Sequence, residues 1–182
     1  SDGQTVTVTN SGGAPLILGE LSLGGADAAE FVVLSDECSD ETLPVGESCV
    51  VEVSLTPLAA GTRTTTLVIP SNAVTSPDSV VLSGTGIQAG LSVDDSVDLG
   101  SVIVGEASAG EAIILTNSGT APLILGELSL GLADAAEFVV MDDGCSGRTL
   151  SVGESCRVVI SVEASRPGQL VAELNISSNA PG

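Results

Sequence analysis

Four cysteines carry the most reactive side chains of this sequence, and their spacing is regular. Cys38 and Cys49 enclose ten residues, and Cys145 and Cys156 enclose ten more. Such a pair can form a disulfide, stay as two thiols, or supply part of a metal site. An even count at equal spacing argues for one disulfide per pair. Zinc sites favour closely spaced Cys and His ligands, and this chain has no His and no two cysteines separated by two residues. Acids come next. Asp36-Glu37 and Asp40-Glu41 flank Cys38, and Asp142-Asp143 precede Cys145. Asp94, Asp95 and Asp98 form a third group, and Asp27/Asp134 and Glu30/Glu137 recur in phase. Calcium takes about six to eight oxygens from flexible carboxylates and carbonyls, so Asp94, Asp95 and Asp98 are the calcium candidate. The competing reading is a solvated acidic loop, because no complete EF-hand loop is present. Catalysis lacks its usual parts. There is no His for general-base work, no Lys for a Schiff base, and no phosphate-binding glycine loop. The expectation is a protein that is not an enzyme and holds no cofactor unless it is calcium.

These residues are positioned by a repeat. Residues 9–33 and 116–140 differ only at Gly13/Thr120 and Gly25/Leu132, a period of 107 residues. The same offset carries Cys38 onto Cys145, Cys49 onto Cys156, and Ser71-Asn72-Ala73 onto Ser178-Asn179-Ala180. Phe31 and Phe138, the two aromatic residues of the chain, share one repeat position and are the expected core anchors. Aliphatic residues must fill the rest of the interior. Twenty-four acids face four arginines, a net charge of −20. That balance disfavours nucleic acid and anionic membranes, which both demand a cationic face. The apolar runs are far shorter than the ~20 residues that span a bilayer, so no membrane insertion is expected.

Short runs with alternating polarity, separated by turn residues, predict an all-β fold. Strands are expected near 4–9, 15–23, 30–34, 48–56, 62–70 and 79–84. In the second repeat they are expected near 111–116, 122–130, 137–141, 155–162 and 169–177. Residues 91–108 read as an opening strand with a kink, and 26–30 as a single helical turn. About seven short strands per hundred residues points to an antiparallel sandwich. The predicted organisation is two tandem immunoglobulin-like β-sandwiches. The first spans 1–87 and lacks its first strand. The second spans 88–182 and lacks its last.

The order TNSGTAPLIL, an isolated Phe, two cysteines with LSVGESC closing the pair, a Pro-Gly turn, LNISSNAP and VVLSGTG resembles the Hydin-type (ASH) immunoglobulin-like domains. Among bacterial sequences it is most similar to choice-of-anchor D repeats. The resemblance implies an immunoglobulin-like fold in an extracellular or cell-surface protein. It implies no single activity, since a fold alone does not give one. The resulting expectation is a structural repeat module of a surface stalk, fibre or filament, a spacer or polymerising unit. Its partners would be further copies of the repeat, in the same chain or by strand complementation between subunits. The second expectation is an adhesin-like module that binds a protein or glycan. The absence of Tyr and Trp counts against it, because such anchors dominate recognition surfaces.

Overall fold

The structure, a computed structural model, describes residues 2–181. The chain is all-β and divides into two compact units, Ser1–Gly86 and Ile87–Gly182. Ser1 and Gly182, the outer limits of the predicted ranges, lie outside the described residues.

In the first unit, Thr/Val alternation produces β1 (Gln4–Thr9), and the apolar run after Cys49 produces β6 (Ser48–Leu55). β6 is the central strand of one sheet, between β1 and β4 (Phe31–Asp36). The other sheet joins β3 (Ser22–Gly24), β7 (Gly61–Ile69) and β8 (Asp78–Gly86). A short pair, β2 (Leu16–Ile17) with β5 (Thr42–Leu43), continues it through a bridge from Leu18 to Ser71. One core lies between the sheets. Phe31, Val51 and Val53 enter from one side, and Leu18, Leu43 and Leu67 from the other. Val80 and Leu82 of β8 pack against it.

The second unit repeats this plan. β14 (Ser155–Val162) lies between β10 (Glu111–Asn117) and β12 (Phe138–Asp143), and β9 (Leu91–Ser92) extends the sheet beyond β10. Opposite stands β11 (Leu123–Gly131), between β13 (Thr149–Leu150) and β15 (Glu173–Ser178). The predicted helical turns are the 3-10 segments Ala28–Glu30 and Ala135–Glu137.

Three differences from the sequence expectation have local causes. The identical run LILGELSLG is continuous as β11 but split into β2 and β3 in the first unit. Pro70 faces Gly19 there, and proline brings no N–H to a ladder; the second unit has Ser177 at that place. Residues 91–108 supply only the two-residue β9, and the remainder is irregular but for a turn at 104–105 and one bridge between Ala107 and Glu163. The strand expected at 169–177 starts at Glu173. Its counterpart β7 is paired with β8 along its whole length from Gly61. The turn before it is the same in both units, with φ of +112° at Gly61 and +117° at Gly168.

The segment leading into the second unit is fixed. The Ser118 amide donates to Gly90 O at 2.9 Å, and the Thr120 and Ala121 amides donate to Gln88 O at 2.7 and 3.0 Å. The Gln88 amide donates to Thr120 Oγ1 at 3.1 Å. Gly90 and Gly119 approach so closely that a Cβ on Gly119 would overlap Gly90 N, Gln88 O and Ala89 C.

Candidate binding site

The cysteines are paired within each unit. Cys38–Cys49 and Cys145–Cys156 are disulfides, each with a Cα–Cα distance of 5.3 Å. All four residues are buried. Two structural disulfides fit a secreted or periplasmic compartment, where oxidising conditions preserve them. Among the described residues no helix is long and apolar enough to cross a membrane.

A buried asparagine organises the end of each unit. Asn10 donates from Nδ2 to the carbonyls of Ala14 and Leu43, both at 2.9 Å, and accepts the Gly12 amide at 3.0 Å. Asn117 makes the same three bonds with Ala121, Leu150 and Gly119. Its amide geometry replaces a stretch of ladder that the turn interrupts. Asn10→Ala strands the Leu43 carbonyl in the core, and the expected loss is about 2 kcal/mol in urea denaturation. A loss below about 0.5 kcal/mol would mean that water satisfies those groups unaided.

The recurring acids act on the backbone. Asp27 accepts the Thr64 amide and Glu30 the Leu58 amide, both at 2.9 Å. Asp134 and Glu137 do the same for Val171 and Ser165. Asp36 and Asp143 cap the turn that carries the first cysteine of each pair. Burial of Asp36 disfavours its ionised form, but the Ser39 hydroxyl and the Ser39 and Cys38 amides donate to it and hold its carboxyl below the usual range. Asp143 is held down in the same way by Ser146 and Cys145 against the same burial. A depressed folded pKa contributes stability above the ordinary aspartate value, and that stability is lost as pH falls through the folded pKa. The urea midpoint should therefore drop on acidification below about pH 4. The double variant Asp36→Asn, Asp143→Asn should show a shallower drop, and an unchanged slope would rule out these two groups as its source.

Asp94, Asp95 and Asp98 are not assembled as a ligand set. Asp98 Oδ1 accepts the Gly100 amide at 2.9 Å, while Asp94 and Asp95 line a cleft. Among the described residues no group of three Asp, Glu, Cys or His is placed to hold a metal ion.

That cleft belongs to the second unit alone. Its volume is about 500 Å3. Its apolar wall includes Ile113, Leu130, Leu132, Phe138, Leu174 and Ile176, and Asp94, Asp95 and Glu173 add carboxylates. It opens along β15, whose outer edge is unpaired among the described residues. The corresponding edge of β7 carries β8 through nine residue pairs. The two core anchors report the difference. Phe31 is 7% exposed and buried, whereas Phe138 is half-buried and faces the cleft. The cleft was not legible in the sequence, because its wall combines residues from six separate segments.

No protein-family model matches the chain, and neither does any curated protein. Solved structures do resemble it. The secreted serine protease VesC from Vibrio cholerae matches 97% of this chain at 21% identity with a TM-score of 0.40, and the chain spans only 47% of that structure. A Porphyromonas gingivalis W83 protein of unknown function matches 98% of this chain and 86% of its own at 18% identity, TM-score 0.42. The Pseudomonas aeruginosa CupB2 chaperone matches 100% and 94% at 12% identity, TM-score 0.36. The YadV, DraB and CfaA chaperones are similar in kind. These findings correct the expected role. Those named are chaperones, a protease and a protein of unknown function, none of them described as a stalk, fibre or adhesin repeat, and the spacer and adhesin readings are set aside.

Proposed function

We propose that this chain is a protein-binding module of an oxidising compartment outside the cytoplasm, made of two immunoglobulin-like sandwiches of the Hydin-type (ASH) kind. Its partner is a polypeptide held by strand addition, and its role is binding rather than catalysis. One observation supports this above the others: the outer edges of β4 and of its counterpart β12 are unpaired among the described residues, and both strands carry exposed apolar side chains, Val32, Val33 and Leu34 in one and Val139, Val140 and Met141 in the other. A bare edge offers a row of backbone donors and acceptors to an incoming strand.

Panning a random decapeptide library on the intact chain tests this reading. Peptides with period-two apolar alternation should be enriched. N-methylation of alternate amides in a selected peptide should weaken binding by about tenfold or more, because it removes backbone donors and leaves side chains intact. Equal binding by the N-methylated peptide, or no enrichment, would overturn strand addition.

A further inference from the structure

We infer that this chain carries the same strand-docking edge twice and holds a polypeptide that displays one basic, aliphatic strand in several copies. The inference rests on the strand-addition reading and goes beyond it by giving the number of sites, the side chains they take and the form of the partner. Glu30-Phe31-Val32-Val33 and Glu137-Phe138-Val139-Val140 are identical. Phe31, Val32 and Val33 of β4 pair with Leu55, Ser54 and Val53 of β6. Phe138, Val139 and Val140 of β12 pair with Val162, Ser161 and Ile160 of β14. In both units the register shifts after the third pair, which leaves Leu34 and Met141 opposite no residue of the central strand. Val33 and Val140 are matched in exposure, at 40% and 38%.

Neither flanking segment covers this edge. In the second unit the leading segment 91–108 pairs with β10 through β9 and with Glu163 through Ala107. In the first unit β8 pairs with β7. β12 is bare with the one in place and β4 with the other. The exposure therefore belongs to the fold of each unit.

The register states what an added strand brings. Val53 and Leu55 are buried in the core, and Val33 and Phe31 lie opposite them. Partner residues set against Phe31 and Val33 stand on that same core-facing side, and aliphatic side chains there cover Val33. The residue between them meets Val32 on the other side, where a long side chain lies along the valine and keeps its charged head in water. The net charge of −20 favours Lys or Arg at that place and opposes a second copy of the chain as the occupant. Edge length then decides the form of the partner. Alternate residues turn their backbone groups toward the central strand, so three residues offer few to a newcomer. Each bond adds about fivefold in net affinity, and ordering a free segment takes back much of that gain. One edge holds a strand weakly. Two edges on one chain hold a partner that shows the strand repeatedly, because the second contact forms at the effective concentration the tether sets.

The synthetic peptide GSVKVTVSG tests the inference on the intact 182-residue chain. Titration calorimetry should give two peptides per chain at equal affinity. Val33→Lys and Val140→Lys should each remove one site, and the double variant both, since a charge on an edge strand opposes pairing. Peptide binding should slow amide exchange at both 31–33 and 138–140 of the unmodified chain, a readout independent of how the variants fold. Biotinylated and displayed on streptavidin through flexible tethers, the peptide should hold the unmodified chain at least about tenfold more tightly than either single variant. GSVEVTVSG should bind about fivefold more weakly at low salt, with the gap closing as salt rises. One site per chain would overturn the inference and leave strand addition intact, as would a single variant held by the surface as tightly as the unmodified chain. Equal binding of the two peptides at low salt would overturn it too, as would undiminished binding by the double variant with protection at another edge. Absence of binding at every edge would overturn the strand-addition reading itself.

Discussion

Phe31→Ala is expected to cost the first unit about 4 kcal/mol, and Phe138→Ala to cost the second unit about 2 kcal/mol. The two residues sit in identical sequence surroundings, AEFVV, so local propensity cannot separate them. Packing does. Phe31 lies in a core that Val80 and Leu82 help to close. Truncation there leaves a cavity with walls on every side, and the lost transfer energy is joined by a cavity cost. Phe138 already borders an open cleft. Its removal enlarges a space that water reaches, so the cavity cost falls away and only part of the transfer energy is lost. Hydrogen-exchange mass spectrometry reads the units separately and gives both values from one chain. Equal losses would mean that the cleft is closed in solution.

Replacing Cys38 and Cys49 together by Ala should destabilise the first unit by about 3 kcal/mol, and the Cys145/Cys156 pair should give the same loss in the second. Each bond spans a sequence separation of 11. It ties the loop after β4 or β12 to the central strand β6 or β14. Closing that loop removes entropy from the unfolded chain, and a core with one aromatic residue per unit has little surplus to replace it. A reductant should reproduce the effect without mutation. A loss below about 1 kcal/mol would show that the Asp36 and Asp143 turns hold these loops unaided.

The sequence made some of this legible because some signals are local. Alternation in QTVTVT and SCVVEVSL specified strands β1 and β6, and equal cysteine spacing specified the disulfides. Other features depend on partners distant in the chain. Thr42–Leu43 is a strand only because Leu16–Ile17 lies beside it. Residues 169–172 carry strand-like sequence, yet β15 begins at Glu173. Nothing local to Asn10 or Asn117 reveals that its turn is buried against Leu43 or Leu150. Asp36 and Asp143 stand in the sequence as members of acid clusters beside cysteines, and only the fold shows that each accepts two amides and a hydroxyl. The two differences within the repeat were visible from the start. Only the structure shows that Thr120 holds the leading segment and Leu132 lines the cleft.

The bonds from Gln88 and Gly90 to the turn at 118–121 have a mechanical consequence. A pull on the backbone at Ile87, the first residue of the second unit, is met within the next few residues. It loads four hydrogen bonds at once, at 2.7, 2.9, 3.0 and 3.1 Å, together with the short β9 pairing. Shearing several bonds in parallel demands more force than opening them one at a time. Tension arriving there passes through Asn117 to the Leu150 carbonyl, and so into the folded interior.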